Sequence, residues 1–353
     1  MKRMGNLYQC VYEPENIWLA HKRARKGKSH YLEVKQIDRN PEKPLKKISE
    51  MLEQKTYRTS SYVNFNTQCS GKMRKISKLP YYPDRIVHHA VMQVVGPIWT
   101  RTLIADTYAC IPGRGIHKGA KRIRAALNDN ENTRYCFKCD VEKFYPSVNH
   151  EILKAIIRRK IKDPDLLWLL DEVIDSAPGI PIGNYLSQHF GNLYLSEVDH
   201  WAKEKLRCRY YFRYCDDLVV LHRDKNFLHE LRIRLQGYLR DKLDLRLKGN
   251  WQVFPVADRG IDFLGYRFFP GYTLARKRIV NKFKRKIKII KKHGPAMRPL
   301  EVVSGLTSYY GWFKHANCHH LIGTYLDEEV CGIAAEACRD EGISVPRPLE
   351  HAA

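Results

Sequence analysis

The chain has 353 residues, 44% of them hydrophobic, and 62 Lys and Arg against 38 Asp and Glu give it a formal charge of +24. That content supports a real core in one multilobed chain or in two to three subdomains, which excludes disorder as the main state. No apolar run approaches the ~20 residues of a membrane span, and the N-terminal Met1-Lys2-Arg3-Met4-Gly5-Asn6 precedes no apolar stretch or small-residue cleavage site, so the expected location is cytoplasmic.

Residues 5–60 read as helical and basic, with a mobile Lys/Arg-rich stretch at His21 to His30 and a Pro-bracketed turn at Pro41 to Pro44. Residues 61–82 alternate weakly, as strands do. Ile86, Val87, Ala90, Val91, Val94 and Val95 set a helical pattern from Asp84 to Trp99, ended near Gly96-Pro97. A Gly-punctuated loop at Ile111 to Gly115 precedes a helix from His117 to Leu127 and a strand ending at Asp140. Helices follow at 149–175 and 185–207. Two short strands, Tyr210 to Tyr214 and Leu218 to His222, then bracket Cys215-Asp216-Asp217. The order is that of an α+β chain with a late hairpin.

Ten cysteines in a chain of this length are too few for a disulfide scaffold. Cys136 and Cys139 have the C-x-x-C count, but they lie in an alternating β-rich segment where residues three apart point to opposite faces, which disfavours a metal knuckle. The charge points instead to a polyanion, and nucleic acid is the obvious one. Arg276 to Lys292 carries ten Lys or Arg and no acid, while Ile279, Phe283, Ile287 and Ile290 fall on one helical face. Such a helix docks by its apolar stripe and turns cations outward, among them Arg276, Lys277, Lys284 and Lys288.

Chemistry is readable in the hairpin. Asp216 and Asp217 sit at its tip between aromatic and β-branched flanks; an Asp pair is also an ordinary turn former. A third acid, Asp140, ends another apolar strand. Carboxylates gathered from two strand ends repel unless a divalent cation neutralises them, and clustered Asp oxygens suit Mg²⁺. Two such ions about 4 Å apart activate a hydroxyl nucleophile and stabilise a leaving pyrophosphate in an in-line displacement.

At these residues the sequence resembles the reverse transcriptases. Tyr214-Cys215-Asp216-Asp217 resembles their Tyr-x-Asp-Asp box and Asp140 to Tyr145 their Asp-x-x-x-aromatic-aromatic box. In the family's order come further blocks: Ser77 to Val91 (fingers), Tyr108 to His117 (Gly-Arg-Gly-x-His), Gly179 to Ser196 (template grip), Leu247 to Phe254 (the motif D strand) and Asp262 to Tyr266 (primer grip). The basic helix and Ser308 to Trp312 resemble a thumb, and the likeness spans roughly residues 5–320. It implies a right-hand polymerase fold with an antiparallel palm sheet and a helical thumb. The implied parts are an N-terminal helical extension at 1–60, fingers at 61–134, a palm at 135–270 with a helical insertion near 150–180, and thumb and tail at 271–353.

The resemblance also implies roles. Asp140, Asp216, Asp217 and the Val141 carbonyl would ligate two Mg²⁺ ions; Lys72 and Arg74 would grip the incoming triphosphate; Tyr145 would be the steric gate that selects deoxynucleotides. Lys248 would be a general acid near the pyrophosphate, with Lys242 nearby as an alternative reading of the alignment. In the grip block, Gly179-Ile180-Pro181-Ile182-Gly183-Asn184-Tyr185-Leu186-Ser187-Gln188, Ile182 stands where most of the family has Gln and Gln188 where it has Pro. That combination resembles the enzymes of diversity-generating retroelements, which copy a template-repeat RNA with frequent errors at adenine and work with a basic, ring-forming accessory variability protein. Ile lacks the donor and acceptor with which Gln fixes a base or nucleotide, so Ile182, Gly183 and Gln188 join the nucleotide-binding set. Cys215 stands where Met or Ala is more usual. A retron-like or phage-defence enzyme is the alternative within this chemistry, and a non-catalytic RNA-binding scaffold the alternative outside it.

Overall fold

The computed structural model describes residues 3–69 and 71–340. Four helices open the chain: α1 (Tyr8–Tyr12), α2 (Pro14–Ala24), α3 (Leu32–Arg39) and α4 (Glu42–Glu53). The stretch from His21 to His30, expected to be mobile, begins inside α2. There His21 is buried, with Nε2 3.0 Å from Asp38 Oδ1 and Nδ1 2.9 Å from the Tyr81 hydroxyl. Strands β1 (Val63–Cys69) and β2 (Lys72–Lys78) form an antiparallel hairpin with Phe65 opposite Ile76 and Thr67 opposite Arg74.

Helix α5 (Ile86–Thr100) runs through Gly96-Pro97 rather than ending there. Pro97 lies in the last turn, where its missing N–H removes a single helical bond, and buried Ile98 and Trp99 hold the turn in place. Next come α6 (Ile116–Leu127), β3 (Tyr135–Asp140), the short α7 (Phe144–Ser147), α8 (His150–Arg158) and α9 (Pro164–Ile174). Asp163 caps α9, accepting from the N–H groups of Asp165 and Leu166 at 3.1 Å, and also accepts from Leu7 and Tyr8. Helix α10 (Tyr185–His200) gives way to a wider turn, and left-handed Arg207 (φ 54°) then turns the chain toward β4 (Tyr210–Tyr214) and β5 (Asp217–His222).

The rest comprises α11 (Lys225–Leu243), β6 (Gln252–Pro255), α12 (Val256–Arg259), β7 (Ile261–Phe263), β8 (Tyr266–Phe269), β9 (Tyr272–Ala275), α13 (Lys277–His293), α14 (Pro299–Phe313), α15 (His319–Tyr325) and α16 (Glu328–Asp340). A four-stranded sheet is ordered β4-β5-β3-β6, and β7-β8-β9 form a separate antiparallel sheet.

The chain divides into two units. The first holds residues up to 113 together with 138–218 and 229–252. Its core packs α2 and α10 against α5, with Trp99 of α5 and Phe190 of α10 5.8 Å apart between ring centroids and Ile17, Val91 and Leu193 buried. The second holds 114–137, 219–228 and the residues from 253 onward. Its core joins Phe283, Ile287 and Ile290 of α13 to α14 and α16, so three residues of the expected apolar stripe of the basic helix are buried and the fourth, Ile279, is partly buried against them. Gly265 (φ 87°) lies against the Trp312 ring so closely that a β-carbon there would come within 2.4 Å of it. Among the described residues no helix is long and apolar enough to cross a membrane.

Candidate functional site

Asp140 is the last residue of β3, Asp217 the first of β5, and Cys215 and Asp216 form the turn between β4 and β5. The turn needs a left-handed residue, and Cys215 supplies it at φ 52°. Backbone hydrogen bonds bring three segments together here: Val141 N–H donates to the Asp216 carbonyl (3.3 Å), Glu142 N–H to Arg246 (2.9 Å) and Lys248 N–H to the Asp140 carbonyl (3.0 Å). Val141 and Leu247 form an antiparallel bridge, and the Val141 side chain is buried.

The Asp216 carboxyl is held above its ordinary range, first by burial and then by the negative charge of Asp140; Arg74 and Lys248 oppose the shift, as does Asp216's own N–H. Three other residues proposed from the sequence, Asp140, Arg74 and Lys248, thus lie within Coulombic reach of Asp216. Asp217 pairs with Lys138 Nζ at 3.6 Å. Lys138 was missed by the sequence reading, although it lies two residues before Asp140 and strand alternation puts both on one face. Lys72 starts β2, and its side chain lies outside the described residues.

Tyr145, on α7, packs edge-on to Phe144 with ring centroids 5.3 Å apart. Burial first, then the proximity of Cys215, Cys110 and Asp216, push its phenol far up. The grip segment runs past it. Ile180 N–H donates to the Tyr145 carbonyl (2.9 Å), and Ser77 N–H of β2 donates to the Ile182 carbonyl (2.8 Å). Gly179 (φ 61°) and Gly183 (φ 114°) let the backbone pass, since β-carbons there would stand 2.5 Å from Tyr145 O and 2.7 Å from Ser77 O. Ile182 is half-buried. Gln188, exposed in the first turn of α10, accepts from the Cys110 thiol at 2.9 Å. No signal in the sequence singled out Cys110.

The donor set fits Mg²⁺. Hard carboxylate oxygens and a backbone carbonyl suit that ion, and the charge of Asp140 against buried Asp216 is what a bound cation relieves. Among the described residues no three His, Cys, Asp or Glu side chains are gathered as a cage. Cys136 and Cys139 are buried thiols of β3.

In the second unit, Lys277 and Lys288 are exposed on α13. Lys284 lies over the Tyr325 ring, 4.8 Å from its centroid. Arg276 precedes the helix and is tied to Asp262 at 2.5 Å.

Residues 60–268 match the family described as reverse transcriptase (RNA-dependent DNA polymerase). The protein is similar to protein YkfC of Escherichia coli (strain K12), with 26% identity over 243 residues that cover 56% of this chain and 64% of YkfC. It is also similar to nuclear intron maturase 1, mitochondrial, of Arabidopsis thaliana, with 24% identity over 103 residues, 29% of this chain and 14% of that protein. The chain therefore spans just under two thirds of the first of these relatives and a small part of the second. Among solved structures, apo telomerase from Candida tropicalis aligns with a TM-score of 0.51 at 12% identity, covering 81% of this chain and 59% of that one, a likeness of right-hand polymerase fold. Over more than half of its length, from the β1–β2 hairpin to β8, the chain belongs to the reverse transcriptase family.

Proposed function

We propose that this protein is an RNA-directed DNA polymerase that copies a template-repeat RNA into cDNA in a diversity-generating retroelement, with errors concentrated at template adenines. The observation that carries the polymerase reading is the meeting of Asp140, at the end of β3, with Asp216, in the β4–β5 turn, and the charges of Arg74 and Lys248 that reach Asp216. In the reaction the 3′ oxygen of a primer forms a bond to the α-phosphorus of a deoxynucleoside triphosphate, and the bond to pyrophosphate breaks. Asp140, Asp216, Asp217 and the Val141 carbonyl would hold two Mg²⁺ ions. Bound there, the ions lower the pKa of the attacking hydroxyl and neutralise charge on the phosphates.

The chain's own groups do the rest. Arg74, with Lys72, binds the triphosphate. Lys248, anchored by its N–H to the Asp140 carbonyl, gives a proton to the departing pyrophosphate. Tyr145, beside Cys215 and the Gly179-Ile180 backbone, fills the space that a ribose 2′ hydroxyl would need. Lys277, Lys284 and Lys288 hold the nucleic-acid backbone.

Support for the retroelement assignment comes from the grip segment. Ile182 offers the template or nucleotide only hydrocarbon from its side chain, and Gln188 stands at the head of α10. The partner of this reading is a basic, ring-forming accessory variability protein.

Primer extension on an adenine-containing RNA with Mg²⁺ and four deoxynucleotides tests it, with Asp216→Ala as control and the products sequenced. cDNA with errors at template adenines, absent from the variant, is the expected result. Faithful cDNA would move the assignment to a retron-like enzyme. Equal product from Asp216→Ala would overturn the catalytic assignment, and no product from either protein, with cognate RNA and accessory protein present, would favour an RNA-binding scaffold.

A further inference from the structure

Beneath the Cys215-Asp216 turn lies a fully buried ion pair outside the catalytic set. Arg213, on β4, and Asp199, on α10, have side chains with no solvent exposure. Arg213 Nε donates to Asp199 Oδ1 (2.7 Å) and Nη2 to Asp199 Oδ2 (2.6 Å). Nη2 also donates to the Asn192 carbonyl (3.3 Å), and Nη1 donates to Asn192 Oδ1 (3.2 Å) and to the Cys215 carbonyl (3.0 Å). A guanidinium has five N–H donors, and these five bonds engage all of them.

The carboxylate is equally full. Besides Arg213, Asp199 accepts from the Tyr211 hydroxyl (2.7 Å) and the Thr107 hydroxyl (2.9 Å). Asn192 in turn donates to the Ala109 carbonyl at 2.7 Å. Loop 106–109, helix α10 and the hairpin are joined at one point.

A buried ion pair is weak evidence for stability, because desolvation opposes its Coulombic gain. The informative bond is the one that leaves the pair and reaches the Cys215 carbonyl. The Cys215–Asp216 peptide is planar, so a fixed Cys215 carbonyl oxygen also fixes the Asp216 nitrogen, and with it the backbone from which the Asp216 carboxylate projects.

We propose that Arg213 is a positioning residue for metal binding: it fixes the left-handed Cys215 turn against α10 and so aims the Asp216 carboxylate. The proposal rests on the reading of Asp216 as a metal ligand. Lysine at 213 keeps the charge beside Asp199 but, with one nitrogen, cannot serve Asp199, Asn192 and Cys215 together.

The test measures Mn²⁺ binding by EPR to the full chain on an RNA–DNA primer–template, with primer–template affinity and melting temperature recorded beside it. Arg213→Lys is expected to weaken Mn²⁺ binding by roughly tenfold, the effect of losing one charge-assisted hydrogen bond, at unchanged primer–template affinity. Tyr211→Phe removes a bond to Asp199 without touching the turn, and should lower the melting temperature while leaving Mn²⁺ binding as in the parent. Wild-type Mn²⁺ binding in Arg213→Lys, or an equal loss in Tyr211→Phe, overturns the proposal. Should Arg213→Lys not fold, Asn192→Ala, which frees the Nη1 arm, must show a smaller loss in the same direction, and unchanged binding there overturns the proposal too. Undiminished Mn²⁺ binding in Asp216→Ala would instead sink the reading of the acids.

Discussion

A β-carbon on Gly179 would stand 2.5 Å from the carbonyl oxygen of Tyr145, and the backbone there is left-handed at φ 61°. Gly179→Ala must therefore pay for both strain and overlap, and we expect it to destabilise the protein by roughly 2–4 kcal/mol. Gly237 is the opposite case. It lies within α11, and a β-carbon there would meet nothing within 4 Å, so Gly237→Ala should stabilise by about 0.5–1 kcal/mol. Urea denaturation of the two variants checks both signs.

How far the sequence reaches is visible at this site. The neighbourhood of Asp140, Asp216 and Asp217 was legible because Asp140 ends one apolar strand, Asp217 begins another and Asp216 sits in the turn before it, and a strand's alternation carries its own register. The buried stripe of α13 was legible for the same reason at helical period. Cys110 and the Arg213–Asp199 pair were not, because their partners lie 78 and 14 residues away and no local pattern encodes a hydrogen bond across a fold. The expected helix end at Gly96-Pro97 failed because burial of Ile98 and Trp99 outweighs a local breaker.

Tyr145 provides a test of selectivity. With its ring held beside Cys215 and the grip backbone, Tyr145→Ala should raise ribonucleotide use relative to deoxynucleotide use by at least about tenfold, or ~1.4 kcal/mol of discrimination. Tyr145→Phe keeps the ring and should keep most of the selectivity. Single-nucleotide kcat/KM ratios measure both; an unchanged ratio in the alanine variant would remove Tyr145 from the gate.

Asp163 joins the N-terminal segment to α9. Burial alone would raise its carboxyl, but the N–H groups of Leu7, Leu166, Tyr8 and Asp165 together hold it below the ordinary range. A carboxyl lowered on folding gives stability that is present above the unfolded value of about 3.9 and is lost as pH falls below it. At neutral pH, Asp163→Ala removes a cap and leaves the Leu7 and Tyr8 donors without this acceptor, an expected loss of about 2–4 kcal/mol in thermal or urea unfolding.

Two adjacent histidines on α5 set a different pH window. Burial first, then His89 and Arg85, push the His88 imidazole down to about 3; burial, then Arg85, Arg23 and His189, do the same to His89. Both rings stay neutral in the fold but take protons in the unfolded chain near pH 6.5, so stability falls as pH drops below that value. The slope is up to about 1.4 kcal/mol per pH unit for each ring. Denaturation midpoints at pH 7.5 and 5.5 should differ accordingly, and His88→Leu should flatten the difference.

On α13, exposure separates residues that the sequence could only group. Lys277 and Lys288 are exposed, whereas Arg276 is tied to Asp262. Replacing either lysine with Ala should reduce the slope of log affinity for RNA–DNA duplex against log salt by about 0.7–0.9. Arg276→Ala should change it less. Equal slopes for all three variants and the parent would remove this helix from the nucleic-acid surface.

The five-bonded guanidinium beneath the Cys215-Asp216 turn also bears on descent. A lineage that replaces Asp199 leaves a buried cation facing Asn192 and a backbone carbonyl, and one that replaces Arg213 leaves a buried carboxylate with only hydroxyl donors. Neither single step is neutral. Positions 199 and 213 should therefore change in the same interval or not at all, with position 192 following them, so that in the history of this chain the pair is inherited as one character.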